Sequence, residues 1–348
     1  LLVMNLNKLL RKNILGMKPY SSARDEYTDL QKDMVFLDAN ENPYDTALNR
    51  YPDPQQTILK SLISKQKEVF PDQILLGNGS DEVLDLIFRA FCEPNQDSVL
   101  TLPPTYGMYE VLANLNAVKN IQVPLSSDFQ LEVDAILAAI QPHTKLLFIC
   151  SPNNPSGNTV DRKAIERLLN EFKGLIIIDE AYIDFTEELS WTQALNTYPN
   201  LIVTQTLSKA YGLAGIRLGI CYASKAIITI LNKIKPPYNI NTLTQDAALK
   251  ALENKVLKDT QVGTILKERS RLIDAFKLIS FIEKIYPTEA NFILIKVDDA
   301  NKRYNELIKN GVVVRNRSSQ LQCENCLRIT VGTPTENAQL LTLLNTLK

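Results

Sequence analysis

The chain has 348 residues, 45% of them hydrophobic, enough for a large core and more than one domain. Its 38 Lys and Arg against 39 Asp and Glu leave a net charge of −1, which excludes attraction to nucleic acid or an anionic membrane through bulk charge. The single histidine, His143, rules out a multi-histidine metal centre and reads as an exposed residue in a turn before a strand.

In chain order, residues 1–20 are broken by Asn5, Asn7, Lys8, Arg11 and Lys12 and lack the apolar core and cleavage site of a signal peptide. No apolar run approaches the ~18 residues of a membrane span. Five scattered cysteines suggest a reducing compartment, so a cytoplasmic protein is expected. Cys92, Cys150 and Cys221 lie in apolar segments; Cys323 and Cys326 form a lone CxxC without two further ligands near it, so no metal is expected.

From about 54 to 235, helix-period and strand-length segments alternate. Val83, Leu84, Ile87, Phe88 and Phe91 give 80–92 a helical face, and Ala164, Ile165, Leu168 and Leu169 do the same for 161–172. Segments 98–102, 146–150, 175–178, 201–204 and 218–221 read as strands, the apolar runs among them buried on both faces. The pattern predicts an α/β large domain with a mainly parallel sheet flanked by helices. After about 240 it changes: a long helical region over 242–279, strands at 291–297, 312–315 and 327–331, helices at 300–309 and from Pro334, a smaller α+β domain. The expected division is an arm at 1–35 that joins the small domain, a large domain at 36–240 and a small one at 241–348.

Three segments carry chemistry. Ser151-Pro152-Asn153-Asn154-Pro155-Ser156-Gly157 is turn-rich; Leu175 to Ile178 end in Asp179-Glu180-Ala181-Tyr182; Thr206-Leu207-Ser208-Lys209 runs on to Arg217. An amine, an aspartate closing a buried strand, and hydroxyls with an arginine match pyridoxal 5′-phosphate (PLP), which needs an amine for its aldehyde, an anion for its ring nitrogen and donors for its phosphate. Lys209 is the candidate amine, and Asn154 and Tyr182 are candidates for the ring oxygen. An alternative makes Asp179 the cap of the next helix. Gly77-Asn78-Gly79-Ser80-Asp81-Glu82 follows a strand and opens a helix, suited to phosphate beside Thr206, Ser208 and Arg217; the plain alternative is Ser80 as an N-cap. Tyr106 follows a strand end and either stacks on the ring or is a loop tyrosine. Arg315 and Arg328, each in a short strand, suit a second anion, with a structural ion pair as the alternative.

Together these residues resemble the fold-type I PLP-dependent aminotransferases, and within them the histidinol-phosphate branch. The likeness extends through Lys18 to Arg24, Asn40-Glu41-Asn42-Pro43, Arg50-Tyr51-Pro52, the Gly77 to Glu82 turn, Pro103 to Tyr109, Thr206 to Arg217, Glu289 to Phe292 and Cys326-Leu327-Arg328-Ile329-Thr330-Val331-Gly332. It implies Lys209, Asp179 and Tyr182 as catalytic groups. Ser80, Asp81, Tyr106, Asn154, Thr206, Ser208, Arg217 and Tyr51 would hold the cofactor, and Tyr20, Asn42, Arg315 and Arg328 the substrate. Tyr51 would reach the neighbouring subunit's cofactor phosphate, which implies a homodimer. The implied reaction is ping-pong transfer of an amino group between L-histidinol phosphate and 2-oxoglutarate, giving imidazole-acetol phosphate and glutamate. An aromatic amino acid aminotransferase, a threonine-phosphate decarboxylase and a non-enzymatic PLP carrier remain as rivals.

Overall fold

The computed structural model describes residues 5–20, 24 and 34–347. Among these, seven strands form one sheet: β1 (Ile74–Asn78), β2 (Ser98–Thr101), β3 (Lys119–Gln122), β4 (Thr144–Cys150), β5 (Leu175–Asp179), β6 (Leu201–Thr206) and β7 (Leu218–Ala223). Their order is β1-β7-β6-β5-β4-β2-β3. The pairs β3–β2, β2–β4, β4–β5 and β5–β6 are parallel, whereas β7 runs antiparallel to both β6 and β1. The apolar runs are continuous because both faces are covered. Leu147, Ile149, Ile176 and Ile178 point to the face that packs on Ile165, Leu168 and Leu169 of helix Arg162–Glu171. The alternate residues Leu146, Phe148, Leu175 and Ile177 face Val83, Ile87 and Phe88 of helix Gly79–Phe91 and Ile227 and Leu231 of helix Lys225–Ile234.

A second, antiparallel sheet has the order β10-β11-β9-β8, from β8 (Ile282–Ile285), β9 (Phe292–Val297), β10 (Arg315–Asn316) and β11 (Cys326–Thr330). Its own core joins Ile293, Ile295, Leu327 and Ile329 to Leu272 and Phe276 of helix Lys255–Phe276 and Leu340 and Leu344 of helix Pro334–Thr346. The last helix starts with a capping box, Thr333 accepting from Glu336 N–H and Glu336 from Thr333 N–H.

Three details differ from expectation. The helical region over 242–279 is two helices, Thr242–Glu253 and Lys255–Phe276, separated at Asn254, whose side chain accepts from Leu257 N–H and so caps the second. The strand expected at 312–315 begins only at Arg315. Gly311, at φ 82°, turns the chain, and Val312 N–H bonds Leu307 O to close the preceding helix. The arm departs most. Its residues 5–16 dock on the helices of the large sheet: Leu6, Leu9 and Leu10 pack on that core, Arg11 N–H bonds Ala90 O at 3.1 Å and Lys233 donates to Ile14 O at 2.6 Å. The parts of the arm at 1–4, 21–23 and 25–33 lie outside the described residues.

No described helix is long and apolar enough to cross a membrane. His143 is exposed, with Nδ1 3.8 Å from Asp97. Cys323 and Cys326 are buried free thiols.

Candidate active site

Loops at the carboxyl ends of the parallel strands, the usual ligand edge of such sheets, meet the small sheet around a cavity of about 300 Å³. Of the residues singled out in the sequence, Ser80, Asp81, Tyr106, Asn154, Asp179, Tyr182, Thr206, Ser208, Lys209, Arg217, Arg315 and Arg328 line it. Tyr20, Asn42 and Tyr51 do not. Tyr20 is largely exposed. Asn42 Oδ1 accepts from Tyr44 N–H in a local turn. Tyr51 stacks on Tyr238, with ring centroids 4.5 Å apart, in a separate hollow lined also by Asn40, Glu41 and Arg50.

The turn after β1 brings its backbone close to Arg217. Gly79, at φ 74°, passes so near Arg217 that a Cβ there would lie 2.5 Å from the guanidinium, and its N–H donates to Arg217 O at 2.8 Å. A Cβ on Gly219 would strike the backbone of Gly79 at 2.3 Å, so both positions need glycine at this crossing. Glu82 and Asn239 pin the turn: the Asn239 amide donates to Glu82 Oε2 at 3.0 Å and to Leu76 O at 3.0 Å. Asn78 is the N-cap of helix Gly79–Phe91, so Ser80 lies within the first turn, where backbone N–H groups have no intrahelical partner, and is not the cap. Arg217 Nη2 stands 3.5 Å from Asp81, whose other oxygen accepts from Tyr106 Oη at 3.0 Å. Thr206 Oγ1 lies 3.0 Å from Ser208 Oγ and accepts from Ser208 N–H at 3.1 Å, which folds the start of the lysine loop toward this corner.

Asp179, at the end of β5, is 3% exposed. Its Oδ2 accepts from Tyr109 Oη at 2.9 Å and its Oδ1 from Ala181 N–H at 3.2 Å. It caps no helix: the next helical turn, Ile183–Phe185, has Tyr182 at its N-cap. Burial pushes the carboxyl above its usual range, and the Tyr109 bond pulls it back. No described cation is within ion-pair distance of it, so its charge has no partner of opposite sign among the described residues.

Lys209 Nζ lies 5.6 Å from the centroid of the Tyr182 ring and has no hydrogen-bond partner among the described residues. Burial, then the Arg328 charge, lowers its pKa, which favours the neutral amine needed for nucleophilic and base chemistry. Tyr182 is held edge-on against Phe292, with centroids 5.1 Å apart.

The small sheet supplies the far wall. Arg315 and Arg328 are directly opposite in the β10–β11 ladder, and Arg328 donates to Asn154 Oδ1 at 2.5 Å. Neither has a carboxylate partner among the described residues, so the structural ion-pair reading fails. Burial, and the nearby Arg315 charge, lower the Arg328 pKa, so an anion between the two arginines would be favoured. Lys209, Arg217, Arg315, Arg317 and Arg328 face only Asp81 and Asp179 as described carboxylates in the lining. The residues fit PLP in three respects: an unpartnered amine, a buried carboxylate without a cation, and a glycine-permitted corner beside Arg217. Arg317, Cys150 and Ala181 complete the lining, and Tyr109 supports it from behind. Arg317 had a signal in the sequence, since it stands two residues after Arg315; Tyr109 had none beyond closing the Pro103 to Tyr109 segment of the resemblance.

Comparison with known proteins agrees. The aminotransferase class I and II model matches residues 25–344, and the chain belongs to that family. It is 60% identical over 343 residues, 99% of each chain, to a histidinol-phosphate aminotransferase of Flavobacterium psychrophilum, and 58% identical over 335 residues, 96% of each, to one of Flavobacterium johnsoniae. The crystal structure of the histidinol-phosphate aminotransferase from Clostridium acetobutylicum aligns with a TM-score of 0.79 at 27% identity, over 86% of this chain and 92% of that one.

Proposed function

We infer that this chain is a PLP-dependent aminotransferase that moves an amino group between L-histidinol phosphate and 2-oxoglutarate, a step of histidine biosynthesis. The observation that carries this is one cavity holding Lys209, the cation-less carboxylate of Asp179 and arginines without carboxylate partners. When bound, PLP supplies an aldehyde that takes the amino group from one partner and passes it to the other, with a ring that draws electrons from the carbon losing its proton.

The chain's residues do the rest. Lys209 Nζ would hold the aldehyde at rest and, once displaced by the amino donor, would carry the proton from the donor's Cα to the cofactor carbon, a positioned transfer typically worth about 10²–10⁴-fold. Asp179 keeps a proton on the ring nitrogen. Asn154 and Tyr182 serve the ring oxygen, and Tyr106 the ring face. Ser80, Asp81, Thr206, Ser208 and Arg217 form the phosphate corner. Arg315 and Arg328 take the substrate's distal anion, a carboxylate in one half-reaction and a phosphate in the other; the planar guanidinium pairs with both.

The decisive experiment is a panel of amino donors with 2-oxoglutarate: histidinol phosphate, phenylalanine, tyrosine and phosphothreonine. Histidinol phosphate is expected to give the highest kcat/KM with ping-pong kinetics. A preference for phenylalanine or tyrosine, or release of carbon dioxide from phosphothreonine, would replace this reading.

The active unit in this reading is a homodimer in which Tyr51 serves the partner's phosphate corner and Tyr20 and Asn42 act at the substrate end. Support comes from the position of Tyr51 outside its own chain's cavity. Mixing inactive Tyr51→Ala and Lys209→Ala proteins after subunit exchange should restore activity that neither has alone, because a mixed dimer then has one intact site. Mixtures that stay inactive while heterodimers form would remove Tyr51 from the neighbouring site. The division near residue 240 and a cytoplasmic setting belong to the same proposal; a core cluster confined to the small sheet and its helices, and five free thiols, support them.

A further inference from the structure

Arg317 is not explained by the machinery above. It follows β10, and its N–H donates to Cys326 O at 2.8 Å, extending the ladder one residue beyond Asn316. That bond fixes the backbone two residues from Arg315, so both side chains leave the strand on the same side. Arg317 lines the cavity with Arg315 and Arg328. Its Nε, like that of Arg328, is buried without a hydrogen-bond partner, and it makes no ion pair among the described residues. Burial, then the charges of Arg328 and Arg315, pushes its pKa down to about 10, so it stays cationic at neutral pH beside two other cations.

Two guanidiniums are enough for a carboxylate, which has one charge and two oxygens. A phosphate monoester carries about 1.5 to 2 negative charges at neutral pH and three terminal oxygens. Glutamate spreads its two negative charges over carboxylates at opposite ends, whereas the phosphate concentrates its charge on one group, so three guanidiniums in one lining match the phosphate better than either carboxylate. We propose that Arg317 is a specificity-determining residue that contacts the phosphate end of the amino donor and biases the shared pocket toward phosphorylated substrates over dicarboxylic ones. This rests on the donor assignment made above.

The test uses PLP-saturated Arg317→Gln and Arg317→Lys enzymes, so that added phosphate does not compete for the cofactor corner. For Arg317→Gln, the ratio of kcat/KM for histidinol phosphate to that for glutamate should fall about 10- to 100-fold, the size of one charge-assisted hydrogen bond, mainly through KM. Arg317→Lys keeps the charge without the fork and should lie between. Inorganic phosphate and acetate are compared as inhibitors of the glutamate half-reaction; Arg317→Gln should weaken phosphate inhibition more than acetate inhibition. Equal losses for both substrates, or an unchanged phosphate-to-acetate ratio, would overturn the proposal. If wild-type enzyme does not use histidinol phosphate but the variant still selectively loses phosphate inhibition, the donor assignment fails and the role of Arg317 stands.

Discussion

Lys209→Ala should retain PLP weakly but lose multiple turnover, with kcat lower by about 10³-fold or more, since it removes both a covalent anchor and a proton carrier usually worth about 10²–10⁴-fold alone. The measurement is steady-state turnover with glutamate beside single-turnover absorbance of the bound cofactor. Normal turnover would discard the assignment of the lysine. A pH effect accompanies it. Burial and the Arg328 charge lower the pKa of this amine, so its capture of an aldehyde should slow as pH falls through that lowered value, which lies below that of an ordinary lysine. Between the lowered folded value and the ordinary unfolded one, the unfolded chain binds more protons, so the cofactor-free protein gains stability from this group as pH rises.

The second large effect is expected at Asp179. Asp179→Asn keeps size and an acceptor for Tyr109 Oη, which now bonds the carboxylate at 2.9 Å, but removes the charge. Without an anion there, the ring nitrogen of bound PLP would lose its proton and its electron sink would weaken. A loss of kcat on the order of 10²–10³-fold is expected, similar to removing one preorganised electrostatic contact. Cofactor absorbance and thermal unfolding separate this from misfolding: the variant should stay folded, because the neutral amide avoids the burial cost that raises the carboxyl's pKa. Full activity in Asp179→Asn would mean that the carboxylate serves only the fold.

Much of this site was legible because its residues are neighbours in the chain. Thr206 ends β6 and Ser208, Lys209 and Arg217 follow it before β7, and Ser80 and Asp81 follow a turn whose glycines announce a close approach. Asp179 and Tyr182 flank one strand end. The apolar runs of β4, β5 and β6 likewise reported a sheet covered on both faces. The arm was harder to place. Leu6, Leu9 and Leu10 show an apolar face, but nothing in their spacing says which core receives it.

Local requirements of backbone and chemistry were set by the amino-acid sequence alone: a buried strand ending in a carboxylate, glycines where a side chain would collide, an amine among hydroxyls. Only the tertiary structure decided which distant groups meet. It joins Tyr109 to Asp179 across 70 residues, brings Arg328 onto Asn154 across 174, and keeps Tyr51 out of its own chain's cavity. The physical reason is range: turn geometry and strand burial act over a few residues, whereas these contacts depend on how two sheets and their helices pack against one another.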